Sequence, residues 1–443
     1  MGIPRTVRSG FRQACGWLGQ HQHAAPRLHL DFLSLGLTQA LAALGQIIGV
    51  RLLTEALSPA VFGEVTLVVG ISLLVTSVLV NPTMQALLRY YPEYAQTGDL
   101  LPVEKTALRC IIRTSAYAFP LTVPLAIVGM VAGWVNVGVL VLLLILTAID
   151  GMRLLRTTVM NASRQHHRYG IWQVGEAWGR PLLAYVATIW LGVHAEVVLG
   201  AFIVTSLALY GVMGHSSDSR STATHSRDFD EGELLRKFQT YGWPLIPLGL
   251  VGWISGMADR YMIGGMFSAE NVGMYAAVYG LASRPLLMLS SMAETAVRPL
   301  YYSAVARRDM SAERKYLMTW FAVVSTAGLA ACALFALFHE ELAALLLGPR
   351  FREASYLMPW IAGGYGLLAC SHITTRICYA YDATRSVFTT ESAGALLAVA
   401  IGFPLIDAFG LQGAATAVPL YFGIQLLLSA YLARRSVLDS YRT

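Results

Sequence analysis

The sequence predicts an all-α polytopic membrane protein of about twelve transmembrane helices in two parallel six-helix lobes. Three observations lead there. Of 443 residues, 56% are hydrophobic and only 13% are charged, about half the charged share of a soluble domain, roughly 25%. The apolar residues stand in repeated blocks of about 20, the length that crosses a hydrocarbon core of roughly 30 Å. Those blocks are continuous rather than alternating, which excludes an outer-membrane β-barrel. A polar stretch near the midpoint divides them into two sets.

The order of elements follows from blocks and breakers. Residues 1–29 form a basic tail in which Val7, Phe11, Cys15 and Leu18 share one helical face and Arg5, Arg8 and Arg12 lie off it, the pattern of a helix resting on an anionic leaflet, with a disordered tail as the alternative. The first lobe, 30–214, holds spans near 31–53, 63–88, 110–132, 137–158, 171–192 and 195–214. A linker rich in Ser, Thr, Asp and Arg covers 215–237. The second lobe, 238–434, holds spans near 238–262, 271–297, 316–338, 355–380, 387–409 and 411–433, followed by a short tail, 435–443.

Charge orients the chain. Most of the 32 Lys and Arg residues fall in the tails and the even-numbered connections, whereas the odd-numbered connections hold Arg51, Arg260, Arg350 and Arg352. By the positive-inside rule both termini face the cytoplasm. The net charge of +6 is thus a distribution across loops and implies no nucleic-acid partner. The halves also echo each other: Leu57-Ser-Pro-Ala-Val-Phe-Gly63 follows span 1 as Phe267-Ser-Ala-Glu-Asn-Val-Gly273 follows span 7. An even number of spans per half makes such repeats parallel, with a substrate site expected between them.

Enzymatic chemistry is not expected. None of the three lysines follows a glycine, so no phosphate-binding P-loop exists, and the ten histidines form no His-Glu-x-x-His pair. Five scattered cysteines, odd in number, give neither a disulfide framework nor a metal site. The informative residues are instead ionisable groups inside apolar spans. Each costs roughly 2.5–3.5 kcal/mol at the centre of a lipid-facing helix, so it faces an interior or a water-filled cavity. Asp150 with Arg153, Glu176 with Arg180, Glu294 with Arg298 and Arg51 with Glu55 can pair within their own helices. Arg284 has no acidic residue at i±3 or i±4, and Arg113 and Arg376 lack one too. An arginine at mid-depth suits an anion, because its planar fork matches phosphate oxygens and it keeps its proton. Arg284, Arg180, Arg113 and Arg376 are therefore the candidate anion-binding set. The alternative for Arg284 is a cross-helix salt bridge to Glu391 or Asp259. Glu176, Asp259, Glu294 and Glu391 are candidates for binding a coupling proton or sodium ion; no other cofactor is expected. Pro181 and Pro285 directly follow Arg180 and Arg284, and each frees a carbonyl at a mid-span bend.

The stretch Asp259-Arg-Tyr-Met-Ile-Gly-Gly-Met-Phe-Ser-Ala-Glu-Asn-Val-Gly-Met-Tyr-Ala-Ala resembles the span 7–8 signature of polysaccharide transporters in the MOP exporter superfamily, relatives of the MATE drug exporters. Leu57 to Gly63 looks like the matching motif after span 1. Arg89-Tyr-Tyr-Pro-Glu93 and Gly410-Leu-Gln-Gly-Ala-Ala415 are similar to the end of span 2 and the start of the last span. The resemblance implies a MATE/MOP-like fold in the bacterial cytoplasmic (inner) membrane, and a flippase for an undecaprenyl-pyrophosphate-linked oligosaccharide such as an O-antigen or exopolysaccharide repeat unit. It also implies partners: the bilayer, the polyprenyl-pyrophosphate-linked glycan, and a polysaccharide polymerase with its export machinery. The alternatives are a MATE-type ion-coupled exporter, which calls for an acidic cavity, and a membrane glycan polymerase, which calls for outer-face catalytic groups.

Overall fold

The computed structural model describes residues 25–97, 100–131, 136–214 and 230–440, and they are helical with no strand among them. The basic tail helix read from residues 1–24 and the linker over 215–229 lie outside the described residues. Seven of the helices are long and apolar enough to cross a membrane. The protein is a multi-pass membrane protein whose surface carries large apolar side chains, among them Trp190, Leu329, Leu337, Leu396 and Leu427. In water such a surface would aggregate; in hydrocarbon it is solvated.

In the first half, α1 (Ala25–Ala56) lies along α6 (His166–Leu191). Small residues permit this: a side chain at Gly45 would strike the Trp178 ring and one at Gly49 would meet Pro181. After α1, Ser58 accepts a hydrogen bond from the Val61 amide and Pro59 fills the first turn of α2 (Pro59–Val75), a sequence-encoded helix start. A π turn, Thr76–Val80, joins α2 to α3 (Asn81–Thr97). The Asn81 amide reaches the Thr76 carbonyl five residues back, and the next residue, Pro82, has no amide to restore the ladder. Then come α4 (Leu100–Val131), α5 (Val137–Ala162) and α7 (Ala195–Gly214), with α7 packed on α5 and α6.

The expected span at 238–262 is displaced. Asp230 caps an amphipathic helix, α8 (Glu231–Gly242), which buries Leu234 and Phe238 against α3 and α4. The membrane helix α9 runs Ile246–Met266. The displacement follows from Trp243-Pro-Leu-Ile-Pro247, whose prolines start a helix better than they continue one. Next are α10 (Ala269–Ala306), α11 (Met310–Leu346), a 3₁₀ segment (Pro349–Leu357), α12 (Met358–Ala380) and α13 (Thr384–Ser440). The last is broken at Gly410, where φ 57° and ψ −135° suit only glycine. The break falls between the spans expected at 387–409 and 411–433.

The largest core lies in the second half, where Tyr275, Tyr279, Phe351, Tyr365, Tyr421 and Phe422 are buried together. The halves meet where α10 crosses α2 and where α9 runs beside the π turn. There, a side chain at Gly249 would overlap the Ser77 carbonyl.

Candidate functional site

All four expected within-helix pairs form, and three of them belong to two larger constellations. In the first half, Asp150 and Arg153 on α5 meet Glu176 and Arg180 on α6. Arg180 Nη2 lies 2.7 Å from Asp150 Oδ1 and 2.8 Å from Glu176 Oε1. Arg153 lies 3.1 Å from Asp150 and 3.2 Å from Glu176. The Ser72 hydroxyl of α2 donates to Asp150 at 3.2 Å, and Arg180 donates to Ser206 of α7 at 2.9 Å. Two acids and two bases thus form a closed ring whose formal charges cancel. Both acids are buried, which is tolerated because each is paired twice. Arg180 is engaged by this ring, so it is not the free guanidinium that the anion-binding expectation requires.

In the second half, Glu294 on α10 receives Arg298 at 2.7 Å and Arg376 of α12 at 2.8 Å. The acid missing from Arg376's own helix is supplied by a neighbouring one. Arg376 also stands within electrostatic reach of His372 and of Glu391 on α13. Glu391 is half-buried and makes no hydrogen bond or ion pair among the described residues.

A third constellation surrounds Arg260. Sequence reasoning placed it in an outer connection, but it sits inside α9 and is buried. It was counted with the connection although the expected span ran to about 262; the helix continues to Met266 and solvates the charge internally. Arg260 lies 3.0 Å from Asp259 Oδ1, donates to the Gly256 carbonyl at 2.7 Å, and stacks on the Tyr279 ring at 4.1 Å. The Tyr275 hydroxyl donates to the other Asp259 oxygen at 2.8 Å, and Tyr279 and Tyr365 share a hydrogen bond of 2.6 Å. Desolvated cation–π stacking contributes about 2 kcal/mol, which helps to hold this buried charge. The aromatic spacing of Tyr275 and Tyr279, one turn apart, was the signal available in the sequence.

Arg284 stands apart. It is half-buried on α10, and no carboxylate lies within ion-pair distance among the described residues; neither Glu391 nor Asp259 bridges to it. Its one polar contact is a long one, Nη1 to the Gln46 carbonyl of α1 at 3.5 Å, too long to neutralise it. That contact places it at the α1–α10 crossing between the halves. The guanidinium lies over Gly280, where an added Cβ would stand 3.7 Å from Arg284 Cζ, and Arg260 adds like-charge repulsion. Arg113, on α4, has an exposed side chain. Pro181 and Pro285 lie inside α6 and α10, neither of which contains a residue with non-helical φ/ψ; such residues interrupt α11 at Phe338 and α13 at Gly410.

Among the described residues, Arg284 is thus a guanidinium without a carboxylate partner between the two halves, whereas Arg180, Arg260 and Arg376 are paired. Chemically it can receive an anion. Solved structures share the fold. A lipid II flippase, MurJ, in an inward closed conformation aligns with TM-score 0.68 at 11% identity, covering 91% of this chain and 87% of that one. A multidrug resistance MATE family transporter of the MOP superfamily, inward-facing, gives 0.61 at 13%, covering 93% and 99%. A MOP superfamily transporter from Pyrococcus furiosus, described by the reverse polarity of its binding pocket, gives 0.60 at 15%, covering 94% and 96%. No curated protein matches by sequence. The sequence pattern of the family described as polysaccharide biosynthesis protein matches residues 52–356, well over half of the chain, and the chain belongs to that family.

Proposed function

We propose that this protein flips an undecaprenyl-pyrophosphate-linked oligosaccharide from the inner to the outer leaflet of the bacterial cytoplasmic membrane by alternating access between its two six-helix halves. Sugars and pyrophosphate cannot cross hydrocarbon unaided, because their polar groups would lose water without replacement. A cleft between the halves supplies that replacement, and rocking of one half against the other changes the side to which it opens. The observation that carries the reading is Arg284: a guanidinium on a membrane helix, at the crossing between halves, with no acid among the described residues to neutralise it. A pyrophosphate oxygen fits it as a charge-assisted acceptor. Arg180 and Arg376 serve this reading as wall charges locked by carboxylates, and Glu391 is the carboxylate left to bind a coupling proton. The MOP and lipid II flippase likenesses support the architecture such a cycle needs.

The test is flipping of a fluorescent undecaprenyl-pyrophosphate-linked sugar in reconstituted vesicles, read by protection from an impermeant quencher. Arg284→Ala should slow flipping by roughly 30-fold or more, the effect of losing a buried charge contact of at least about 2 kcal/mol. Arg284→Lys should retain part of it, since the charge stays but the fork is lost. Wild-type rates from Arg284→Ala remove this residue from the mechanism. Efflux of cationic dyes without any flipping would favour an ion-coupled small-molecule exporter.

A further inference from the structure

At one end of the second half, the two arms of α13 on either side of Gly410 come back together. Val387 of the first arm and Ala433 of the second share a small core with Tyr301 of α10 and with Ile377 and Cys378 of α12. Basic residues gather around that end, among them Arg307, Arg308, Arg314, Lys315 and Arg434, and the positive-inside rule turns such an end toward the cytoplasm. Between the turn from α12 into α13 and the stretch 432–440 lies a cleft of about 560 Å³, within the roughly 300–1,000 Å³ of sites that hold small molecules. The turn that forms one wall is fixed in place. The Ala383 amide donates to the Cys378 carbonyl at 2.8 Å, and the Tyr381 hydroxyl donates to Glu313 of α11 at 2.9 Å.

The charges lining the cleft are of both signs. Asp382 and Arg385 belong to the turn wall, and Arg435 and Asp439 stand one helical turn apart on the other. These four sum to zero, yet they do not cancel in pairs. Among the described residues neither Asp382 nor Arg385 makes an ion pair. Arg435 reaches Asp439 only at 3.7 Å, with both side chains largely exposed, and such a pair contributes little. The hydroxyls of Thr384 and Ser386, in the same lining, also make no hydrogen bond among the described residues. Separated charges of both signs complement a ligand that itself carries both. The guanidinium fork matches phosphate oxygens, and a carboxylate accepts from an ammonium group. The flanks of the cleft are apolar: Phe388, three residues after Arg385, and Tyr431 and Leu438, on either side of Arg435, are all exposed. That is the setting of a headgroup site at a membrane surface, where an aromatic or aliphatic neighbour meets the glycerol and upper acyl region.

We propose that this cleft binds a zwitterionic phosphate–ammonium group, the headgroup chemistry of phosphatidylethanolamine, with Arg385 and Arg435 on the phosphate and Asp382 and Asp439 on the ammonium. Soluble phosphoethanolamine carries the same two charges, so the source is read by experiment. The site is separate from Arg284 and does not rest on the transport reading.

The experiment titrates full-length, delipidated protein in a non-ionic detergent with phosphatidylethanolamine or phosphatidylglycerol and counts retained lipid by native mass spectrometry. The parent should retain one phosphatidylethanolamine about tenfold more tightly than phosphatidylglycerol, which lacks the ammonium. Arg385→Gln/Arg435→Gln should weaken that first adduct by roughly tenfold or more, the loss of contacts to a charged group. Asp382→Asn/Asp439→Asn should weaken it similarly but tighten phosphatidylglycerol, because two repelling carboxylates are gone. All four side chains are exposed, so both variants should keep the parent's thermal midpoint. Arg434→Gln, exposed on the same arm but outside the lining, should bind as the parent does. Soluble phosphoethanolamine in excess then assigns the source: failure to displace the adduct supports the lipid headgroup, and displacement that depends on the two arginines supports a soluble ester in the same cleft. The proposal is overturned by a parent that retains no phosphatidylethanolamine or prefers phosphatidylglycerol, or by an adduct unchanged in Arg385→Gln/Arg435→Gln. An equal loss in Arg434→Gln overturns it too, since it marks a diffuse basic surface. None of these results bears on flipping, so the site can fail while the Arg284 reading stands.

Discussion

Removing one carboxylate from the ring on α5 and α6 separates a structural role from a transport role for Arg180 and Glu176. Asp150 accepts from Arg180 at 2.7 Å, Arg153 at 3.1 Å and Ser72 at 3.2 Å, with its side chain 9% exposed. Asp150→Asn leaves two guanidinium groups facing one acid, a net charge of +1 in a water-poor site. Breaking a buried pair this way costs about 3–5 kcal/mol. Arg153, whose side chain is 27% exposed, can turn away and relieve part of that, so the low end is expected. At roughly 2–4 °C per kcal/mol for chains of 150–250 residues, and less for longer ones, the thermal midpoint in detergent should fall on the order of 5–10 °C. The control is Glu93→Gln, which breaks an exposed pair with Arg89 at 3.5 Å and should cost only about 0–1 kcal/mol. The double variant Asp150→Asn/Arg180→Gln restores neutrality. It should lose at least about 1 kcal/mol less than the sum of its singles, and flipping per folded molecule should stay within a few-fold of wild type. Additive losses, or a midpoint for Asp150→Asn no lower than for Glu93→Gln, would refute the ring as a holding device. Full stability with abolished flipping in the double variant would return Arg180 to the substrate.

Two further outcomes follow from single positions. Gly410→Ala forces a side chain into φ 57°, ψ −135° and should cost about 1–3 kcal/mol, read as a lowered midpoint, whereas Gly200→Ala in an open helical position should raise it slightly. Glu391→Gln should leave binding of the lipid-linked sugar intact but remove the acceleration of flipping by an imposed proton gradient. An unchanged response in vesicles would move coupling to another group.

Much of this was legible in the sequence, and the boundary has a physical cause. Local pairings were readable because helix geometry fixes them: Asp150–Arg153, Glu176–Arg180, Glu294–Arg298 and Arg51–Glu55 all form. Bonds between helices were not, because nothing in the spacing says which faces meet. Arg376 therefore looked partnerless until Glu294 arrived from α10, and Arg180 looked available until Asp150 arrived from α5. Arg260 was misplaced because an average over apolar residues treats any charge near a span end as loop, while Tyr279 and Asp259 keep it inside. The helix α8 was hidden because its two anchors, Leu234 and Phe238, are too few to register as hydropathy. Arg284 was legible because its isolation is a property of its own helix, and among the described residues no neighbouring acid removes it.

The distribution of compensation between the halves has a directional consequence. The first half carries a balanced ring, and the second carries Arg284 unbalanced, with Arg260 beside it already matched by Asp259. Under the proposed function, the attraction for a phosphate would thus be fastened to the wall that carries Arg284. In the proposed cycle, a headgroup held by Arg284 would stay with the second half as cargo on a carriage when the walls part, and the first half would slide past it as a neutral track.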